Sequence, residues 1–246
     1  MQLAFFGKFV IIMKKSRSER KNNMDVYLVR HGESLSNIGE SREFDSTLSP
    51  KGEQQAECLG RYLANVKFDK IYSSHMCRAV QTAAAVARHQ EGNPEIIIVP
   101  EFCETETPGD FEANTELLRS VYPKLNITKT SMGNGCGADI ERLEYAVDKY
   151  INLPGYSNAA ETVVTDGKQK RYNPEKILIV SHAGAICYML SSLVNFRYDI
   201  NVNIVQHNTC INKFELFLIN DVPRKRFLRY NDVPHLPQEL RLESQF

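Results

Sequence analysis

The sequence contains no tryptophan, and its 30 basic and 30 acidic residues leave no formal net charge. Proteins that bind nucleic acids or anionic membranes usually carry an excess of basic residues, so this balance argues against both partners. No apolar run reaches the roughly 20 residues that a membrane-spanning helix needs. We therefore expect no nucleic-acid partner and no membrane span.

Cysteine motifs are missing as well. The six cysteines are scattered, without a Cys-x-x-Cys pair or the Cys/His spacing of a zinc site. Reduced thiols of this kind favour a cytoplasmic protein that holds no metal. One Cys-x5-Arg spacing, from Cys136 to Arg142, has the form that cysteine-dependent phosphatases use. Asp139 and Glu141 would place negative charge against a phosphate there, and the helical periodicity from Ile140 explains the segment better.

The N-terminal segment differs from the rest of the chain. An apolar stretch at residues 1–13 is interrupted by Lys8 and precedes a basic stretch at residues 14–21. A signal peptide has the opposite order, so we predict a disordered extension over residues 1–23, with a signal anchor as the alternative. Residues 24–246 then form one globular domain, which suits their length and hydrophobic content.

Hydrophobic periodicity divides this domain into alternating strands and helices. The predicted strands are residues 26–30, 68–72, 96–99, 177–180, 209–217 and 226–230. Helices are predicted from Pro50 onward and at residues 78–89, 139–150 and 185–194, and residues 100–137 are predicted to be irregular. Such alternation is typical of an α/β fold with a largely parallel sheet flanked by helices.

Two unusual turns follow strands of this sheet. Arg30-His31-Gly32 ends the first strand, and Ser181-His182-Ala183-Gly184 follows the strand at residues 177–180. Arg78 stands at the start of a helix that follows another strand. Because open α/β sheets bind ligands at the carboxyl ends of their strands, two guanidinium groups and two imidazoles are expected to surround one anion. The planar guanidinium of arginine donates bidentate hydrogen bonds to phosphoryl oxygens, so the anion is predicted to be a phosphoryl group.

These residues also carry a family resemblance. The segment Arg30-His31-Gly32-Glu33-Ser34, together with Asn37, resembles the signature of the histidine phosphatase superfamily in its phosphoglycerate-mutase-like branch, branch 1. The resemblance continues in residues 48–56, 73–83, 181–184 and 231–236. It implies a three-layer α/β sandwich with a mostly parallel central sheet.

The resemblance implies a role for each residue of the predicted pocket. His31 attacks phosphorus and becomes a phosphohistidine, while Arg30, Arg78, His182 and Asn37 bind the phosphoryl oxygens. Neither a metal nor a cofactor is required, because these side chains supply the positive charge.

The family's proton donor is a carboxylic acid after the third strand. Glu104 has the expected spacing and is predicted to protonate the leaving group, with Glu101 and Glu106 as rivals.

The resemblance leaves two activities open. We predict a phosphatase that acts on a phosphorylated small molecule or a phosphoprotein, because Glu40, Glu43 and Asp45 after the first motif would repel a second phosphate. A phosphoglycerate or bisphosphoglycerate mutase and a catalytically weak binding protein are the alternatives. The oligomeric state is left open. The other histidines, His75, His89 and His207, are predicted to be ordinary surface or partly packed residues, and His235 to tie down the tail.

Overall fold

The computed structural model describes residues 23–107, 112–127, 139–151, 175–194, 204–219 and 222–241. Their strands are β1 (Met24–Arg30), β2 (Lys70–Ser73), β3 (Ile96–Ile98), β4 (Leu125–Ile127), β5 (Glu175–Ser181), β6 (Ile211–Ile219) and β7 (Val222–Asp232). Their α-helices are α1 (Pro50–Leu63), α2 (Cys77–Arg88), α3 (Thr115–Val121), α4 (Asp139–Ala146) and α5 (Ala183–Val194). The first strand begins where the domain was predicted to begin, and residues 1–22 of the predicted extension lie outside the described residues.

The strands form a seven-stranded sheet in the order β4-β3-β2-β5-β1-β6-β7. The five strands from β4 to β1 are parallel to one another, whereas β6 pairs antiparallel with β1 and β7 pairs antiparallel with β6. β1 and β5 are continuous apolar runs, which is typical of strands covered on both faces. The predicted mostly parallel sheet is therefore confirmed.

Alternate residues of the strands face two separate hydrophobic cores. Val26 and Leu28 of β1 pack in a core that includes residues of α4 and α5. Tyr27 and Val29 pack on the other side, in a core that includes residues of α1 and α2. Because successive strand residues point to opposite faces of a sheet, helices cover both faces, which confirms the three-layer arrangement.

The start of α1 follows its predicted capping pattern. Ser49 is the N-cap, its hydroxyl accepts a 3.0 Å hydrogen bond from the Gly52 amide, and Pro50 occupies the first turn. This helix start packs closely on the turn after β1, since a Cβ on Gly52 would lie 1.9 Å from the carbonyl oxygen of Glu33. The glycine thus allows α1 to approach the turn that carries His31.

The prediction for residues 100–137 was wrong in part. This region contains a short 3-10 turn at Pro100–Phe102, helix α3 and the edge strand β4. β4 has only three residues, too few to show a periodicity before its pairing with β3 is known. The helix predicted at 139–150 is α-helical only to Ala146 and continues as a π-helix over Val147–Ile151. Across the described ranges, the helices are all too short or too polar for a membrane crossing.

Candidate active site

Three neighbouring strands bring the predicted turns together. β1 and β5 are paired so that Arg30 lies opposite Ser181, and β5 and β2 are paired so that Val180 lies opposite Ser73. The His31 amide donates a 3.0 Å hydrogen bond to the carbonyl of Ser181, which continues this pairing into the turn. The turns after β1, β2 and β5 therefore converge at one edge of the sheet, as expected for parallel strands.

His31 is buried, and both of its ring nitrogens have partners. Nδ1 lies 2.6 Å from the carbonyl oxygen of Gly32, so this nitrogen carries the proton. Nε of Arg78 donates to Nε2 of His31 across 3.3 Å, which requires a lone pair on Nε2. Burial, followed by the charges of Arg78 and Arg30, holds the pKa of His31 well below its usual value. The imidazole is therefore neutral, with a lone pair on Nε2.

The turn after His31 depends on glycine. A Cβ on Gly32 would lie 2.6 Å from the carbonyl oxygen of Gly52, so a side chain here would push α1 away. The Gly32 amide donates a 3.0 Å hydrogen bond to Oγ1 of Thr82 on α2. Gly32 thus holds the turn that carries His31 between the start of α1 and Thr82 of α2.

Arg78 lies in the first turn of α2, and its guanidinium reaches across the site. Besides donating to His31, it donates through Nη1 to the carbonyl oxygen of Phe44 across 2.9 Å. Asp45 accepts a 2.7 Å hydrogen bond from the Cys77 amide and lies close enough to Arg78 to affect its pKa. The predicted placement of Arg78 beside His31 is found, with the loop before Leu48 as an additional support.

Arg30 and His182 complete the group of basic side chains. Arg30 donates through Nη1 to the carbonyl oxygen of Gln206, and its Nε has no hydrogen-bond partner among the described residues. The His182 ring centroid lies 5.0 Å from that of His31, and Nε2 of His182 is 2.9 Å from Oγ of Ser74. Burial and the charge of Arg78 hold the pKa of His182 well below its usual value. The four predicted residues therefore form one cluster of two guanidinium groups and two neutral imidazoles.

Asn37 lies at the rim of this cluster and also stabilises a turn. Its Oδ1 accepts a 3.1 Å hydrogen bond from the Ser34 amide and a long one, 3.5 Å, from Nδ2 of Asn208. Asn208 donates from the same Nδ2 to the carbonyl oxygen of His31 across 3.1 Å. The amide oxygen of Asn37 thus serves the turn, which leaves its NH₂ group as the donor that a phosphoryl oxygen would use.

The three candidate proton donors differ clearly in their surroundings. Glu101 is fully buried, Glu106 is exposed with a positive φ of 60°, and Glu104 is between these extremes. Oε1 of Glu104 accepts hydrogen bonds from the amides of Thr105, at 2.9 Å, and Ala185, at 3.2 Å. Burial lowers the pKa values of Arg30 and Arg78, and the Glu104 carboxyl group opposes this in both, so it lies near the two guanidinium groups. Among the three candidates, these contacts favour Glu104 as the proton donor.

Arg142 of the Cys-x5-Arg spacing contacts this same segment. Its side chain is buried and donates to the carbonyl oxygens of Glu101 and Cys103, at 2.8 and 3.0 Å. Cys136 lies outside the described residues, so the spacing itself is not described structurally. Arg142 is nevertheless bound to protein atoms, which differs from the role of a phosphate-binding arginine in that motif.

Sequence reasoning missed several groups that support the site. The side chains of Thr82 and Asn208 bind backbone atoms of Gly32 and His31, and the backbone carbonyl of Gln206 accepts a hydrogen bond from Arg30. His75 was predicted to be an ordinary surface or partly packed residue; it is 6% exposed, and burial with the charges of Arg142 and Arg78 lowers its pKa to about 4. Its position directly after the Ser73-Ser74 strand end was the signal that could have placed it near the site.

His235 has the tail-tying role predicted for it, because its Nε2 lies 2.9 Å from Oγ1 of Thr209.

The sequence is similar to known phosphatases. Residues 26–143 match the family described as the histidine phosphatase superfamily (branch 1). The rat mitochondrial serine/threonine-protein phosphatase PGAM5 is 36% identical over 214 residues, which cover 82% of this chain and 63% of PGAM5. Fructose-2,6-bisphosphatase TIGAR from Xenopus laevis is 39% identical over 75 residues, which cover 29% of this chain and 27% of TIGAR. This chain therefore spans less than two thirds of either relative.

The structure also resembles solved structures of low sequence identity. The phosphoglycerate mutase of Bacillus anthracis str. Sterne is 18% identical, with a TM-score of 0.56 over 89% of this chain and 97% of the mutase. At this identity the likeness concerns the fold alone, and that fold is phosphoglycerate-mutase-like. The family match and the cluster around His31 lead to one conclusion: residues 26–143 of this chain belong to the histidine phosphatase superfamily, branch 1.

Proposed function

We propose that this protein is a phosphatase that hydrolyses a phosphomonoester through a phosphohistidine on Nε2 of His31. The observation that carries the proposal is the pair of hydrogen bonds of that ring. The carbonyl oxygen of Gly32 accepts a hydrogen bond from Nδ1, and Arg78 donates to Nε2 from a guanidinium that can also bind the incoming phosphoryl group. The nucleophilic atom is thereby unprotonated and beside the charge that its target needs.

In the first step, the Nε2 lone pair attacks phosphorus and the bond from phosphorus to the ester oxygen breaks. Arg30, Arg78, His182 and the Asn37 amide bind the phosphoryl oxygens, whose charge is spread in the transition state. Glu104 gives its proton to the departing oxygen, so the product leaves as an alcohol. The contact from Nδ1 to the Gly32 carbonyl stabilises the positive charge on the phosphorylated ring.

In the second step, water attacks the phosphohistidine. Glu104, now a carboxylate, accepts a proton from that water, and the phosphorus–nitrogen bond breaks. Inorganic phosphate leaves, His31 is again neutral, and Glu104 is again protonated. The cycle thus balances with one ester and one water consumed.

We further propose that the reaction needs no metal ion. A phosphoryl dianion requires compensating positive charge, and Arg30 and Arg78 provide two permanent charges at the same edge of the sheet. Activity is therefore expected to persist in the presence of EDTA.

Hydrolysis is favoured over mutase chemistry by the loop that supports Arg78. The carbonyl of Phe44 binds that arginine, so the loop lies beside the pocket, and Glu40 and Glu43 are exposed on it. These carboxylates would repel a second phosphate, which a mutase must bind. The discriminating assay is conversion of 3-phosphoglycerate to 2-phosphoglycerate with 2,3-bisphosphoglycerate present; a rate well above phosphate release would favour the mutase.

The substrate is proposed to be a phosphorylated small molecule or a phosphoprotein, in line with the names of the rat and Xenopus relatives. A cytoplasmic location is also proposed. It is supported by the five cysteines of the described segments, all of which are free thiols. Microscopy and fractionation of the tagged full chain would test the location.

The central experiment uses para-nitrophenyl phosphate in EDTA. We expect turnover by the wild type, its loss in His31→Asn, and unchanged turnover in the control His89→Asn, whose ring bonds to Glu57 outside the site. Acid quenching would destroy a phosphohistidine and alkaline quenching would preserve it, so labelled phosphate on His31 should survive only base. Phosphate binding without turnover would instead favour the non-catalytic alternative.

A further inference from the structure

The segment that carries Glu104 has an unusual set of backbone contacts. Residues 101–104, here called the acid segment, begin within the 3-10 turn Pro100–Phe102 and belong to no strand or α-helix. Their carbonyl oxygens therefore need partners outside regular secondary structure, since unpaired buried carbonyls are costly. Side chains supply these partners, and one residue supplies most of them.

That residue is Arg142 of α4. Its Nη1 donates to the carbonyls of Glu101 and Cys103, at 2.8 and 3.0 Å, and lies 2.9 Å from the thiol sulfur of Cys103. Its Nη2 donates to the carbonyl of Glu104 across 3.3 Å. One guanidinium thus binds three of the four carbonyls of the acid segment. Ser181 binds the remaining one, that of Phe102, across 2.8 Å, and Oγ1 of Thr107 also donates to the carbonyl of Glu104, across 2.6 Å.

The carboxyl group of Glu104 is held at the start of α5 by the same arrangement. Its Oε1 accepts from the amides of Thr105 and Ala185. With Oε1 occupied by donors, the acidic proton belongs on Oε2. The place of the carboxyl group depends on the backbone position of the acid segment, and Arg142 donates most of the side-chain hydrogen bonds to that backbone.

We propose that Arg142 is a positioning residue that sets the place of the Glu104 carboxyl group over the phosphoryl pocket. This inference rests on the proposed function, in which Glu104 is the proton donor. Arg142 binds the main chain of the acid segment, so its effect on the reaction passes through Glu104. A planar guanidinium can serve several carbonyls at once, whereas a lysine ammonium at the end of a flexible chain cannot match this geometry.

The test compares two substrates of nearly equal shape, para-nitrophenyl phosphate and phenyl phosphate. The nitrophenolate anion is a good leaving group and departs without being protonated. Phenolate is a poorer leaving group, so only phenyl phosphate depends strongly on general acid catalysis. kcat/KM reports the step in which the alcohol leaves. We expect Arg142→Met to lower kcat/KM for phenyl phosphate by roughly 30-fold or more, and for para-nitrophenyl phosphate by less than about 3-fold.

Three further variants complete the design. Arg88→Met is the matched control, because Arg88 also binds a carbonyl, that of Val121, but outside the site. Arg88→Met should leave kcat/KM for both substrates unchanged. Arg142→Lys should show the same selective loss in a milder form, and it replaces the methionine variant if that one does not fold. Adding Arg142→Met to Glu104→Gln should cost less than about 2-fold more, because both changes act on one group.

Each outcome decides the inference. Equal losses on the two substrates, or independent losses in the double variant, would show a general structural role and overturn it. Wild-type protein that forms no base-stable label on His31 would instead refute the proposed function. A label that forms normally in Arg142→Met with para-nitrophenyl phosphate, together with the selective loss, would support the inference.

Discussion

Nε of Arg78 donates a hydrogen bond to Nε2 of His31 across 3.3 Å, so a permanent positive charge touches the atom that would attack phosphorus. The contact has two consequences. It opposes protonation of the imidazole, because a second positive charge beside the guanidinium is unfavourable. It also places Arg78 where the phosphoryl group must arrive, since the nucleophile and its target meet at Nε2.

These two effects can be separated by substitution. Arg78→Met removes the charge, so the pKa of His31 should rise and the acid limb of the kcat/KM profile should move to higher pH. Arg78→Lys keeps the charge, so its acid limb should stay close to that of the wild type. Both variants should lose roughly 10²–10³-fold in plateau kcat/KM, because neither retains the guanidinium's donors. An acid limb that is identical in all three proteins would contradict this account of His31.

The proton donor can be identified by single amide substitutions. Glu104→Gln should lower kcat/KM for phenyl phosphate by roughly 10²–10⁴-fold, because the amide cannot supply the proton. Glu106→Gln is the matched control, because Glu106 is exposed in the adjoining turn, and it should change kcat/KM by less than about 2-fold. If the larger loss belonged to Glu106→Gln, the assignment of Glu104 would be wrong.

Gly184 is predicted to be essential for the position of the Glu104 carboxyl group. A Cβ at this position would lie 2.4 Å from Oγ1 of Thr105 and 2.8 Å from Oε1 of Glu104. Gly184→Ala should therefore displace the carboxyl group and reduce activity on phenyl phosphate more than on para-nitrophenyl phosphate. Gly92→Ala, at an exposed turn, is a control for loss of glycine and should reduce stability without this selectivity. An equal loss of activity on the two substrates in Gly184→Ala would contradict this role of Gly184 in positioning the Glu104 carboxyl group.

The free energy of unfolding should fall in mild acid, because His75 is buried as a neutral ring and protonation favours the unfolded chain. The pKa of His75 is lowered from 6.5 to about 4 in the folded protein, so the unfolded chain binds the proton more readily. The stability that this neutral ring retains above pH 6.5 is lost as the pH falls towards 4, by about 3 kcal/mol in all. Urea unfolding at pH 7 and pH 4.5 should thus show a smaller acid loss in His75→Gln than in the wild type. An equal loss in both proteins would refute the contribution of His75.

Much of the fold was predictable because its signals are local. β1 and β5 are runs of apolar residues, and α1 has Ser49 and Pro50 at its start, so each element could be read from a few neighbouring positions. The short strand β4 has no such signal and exists through its pairing with β3. The burial of His75 was also missed, because the burial of a side chain depends on tertiary packing and not on its neighbours in the sequence.

The sequence by itself determined the chemistry available at the strand ends: an imidazole and a guanidinium in consecutive positions, a second arginine at a helix start, and a second histidine in a Ser-His-Ala-Gly turn. Only the tertiary structure decided how these groups act. It placed Arg78 against Nε2 of His31, and it put Arg142 on the backbone beside Glu104. The physical reason is that ring protonation and carboxyl placement depend on contacts between residues far apart in the chain, which local sequence patterns do not encode.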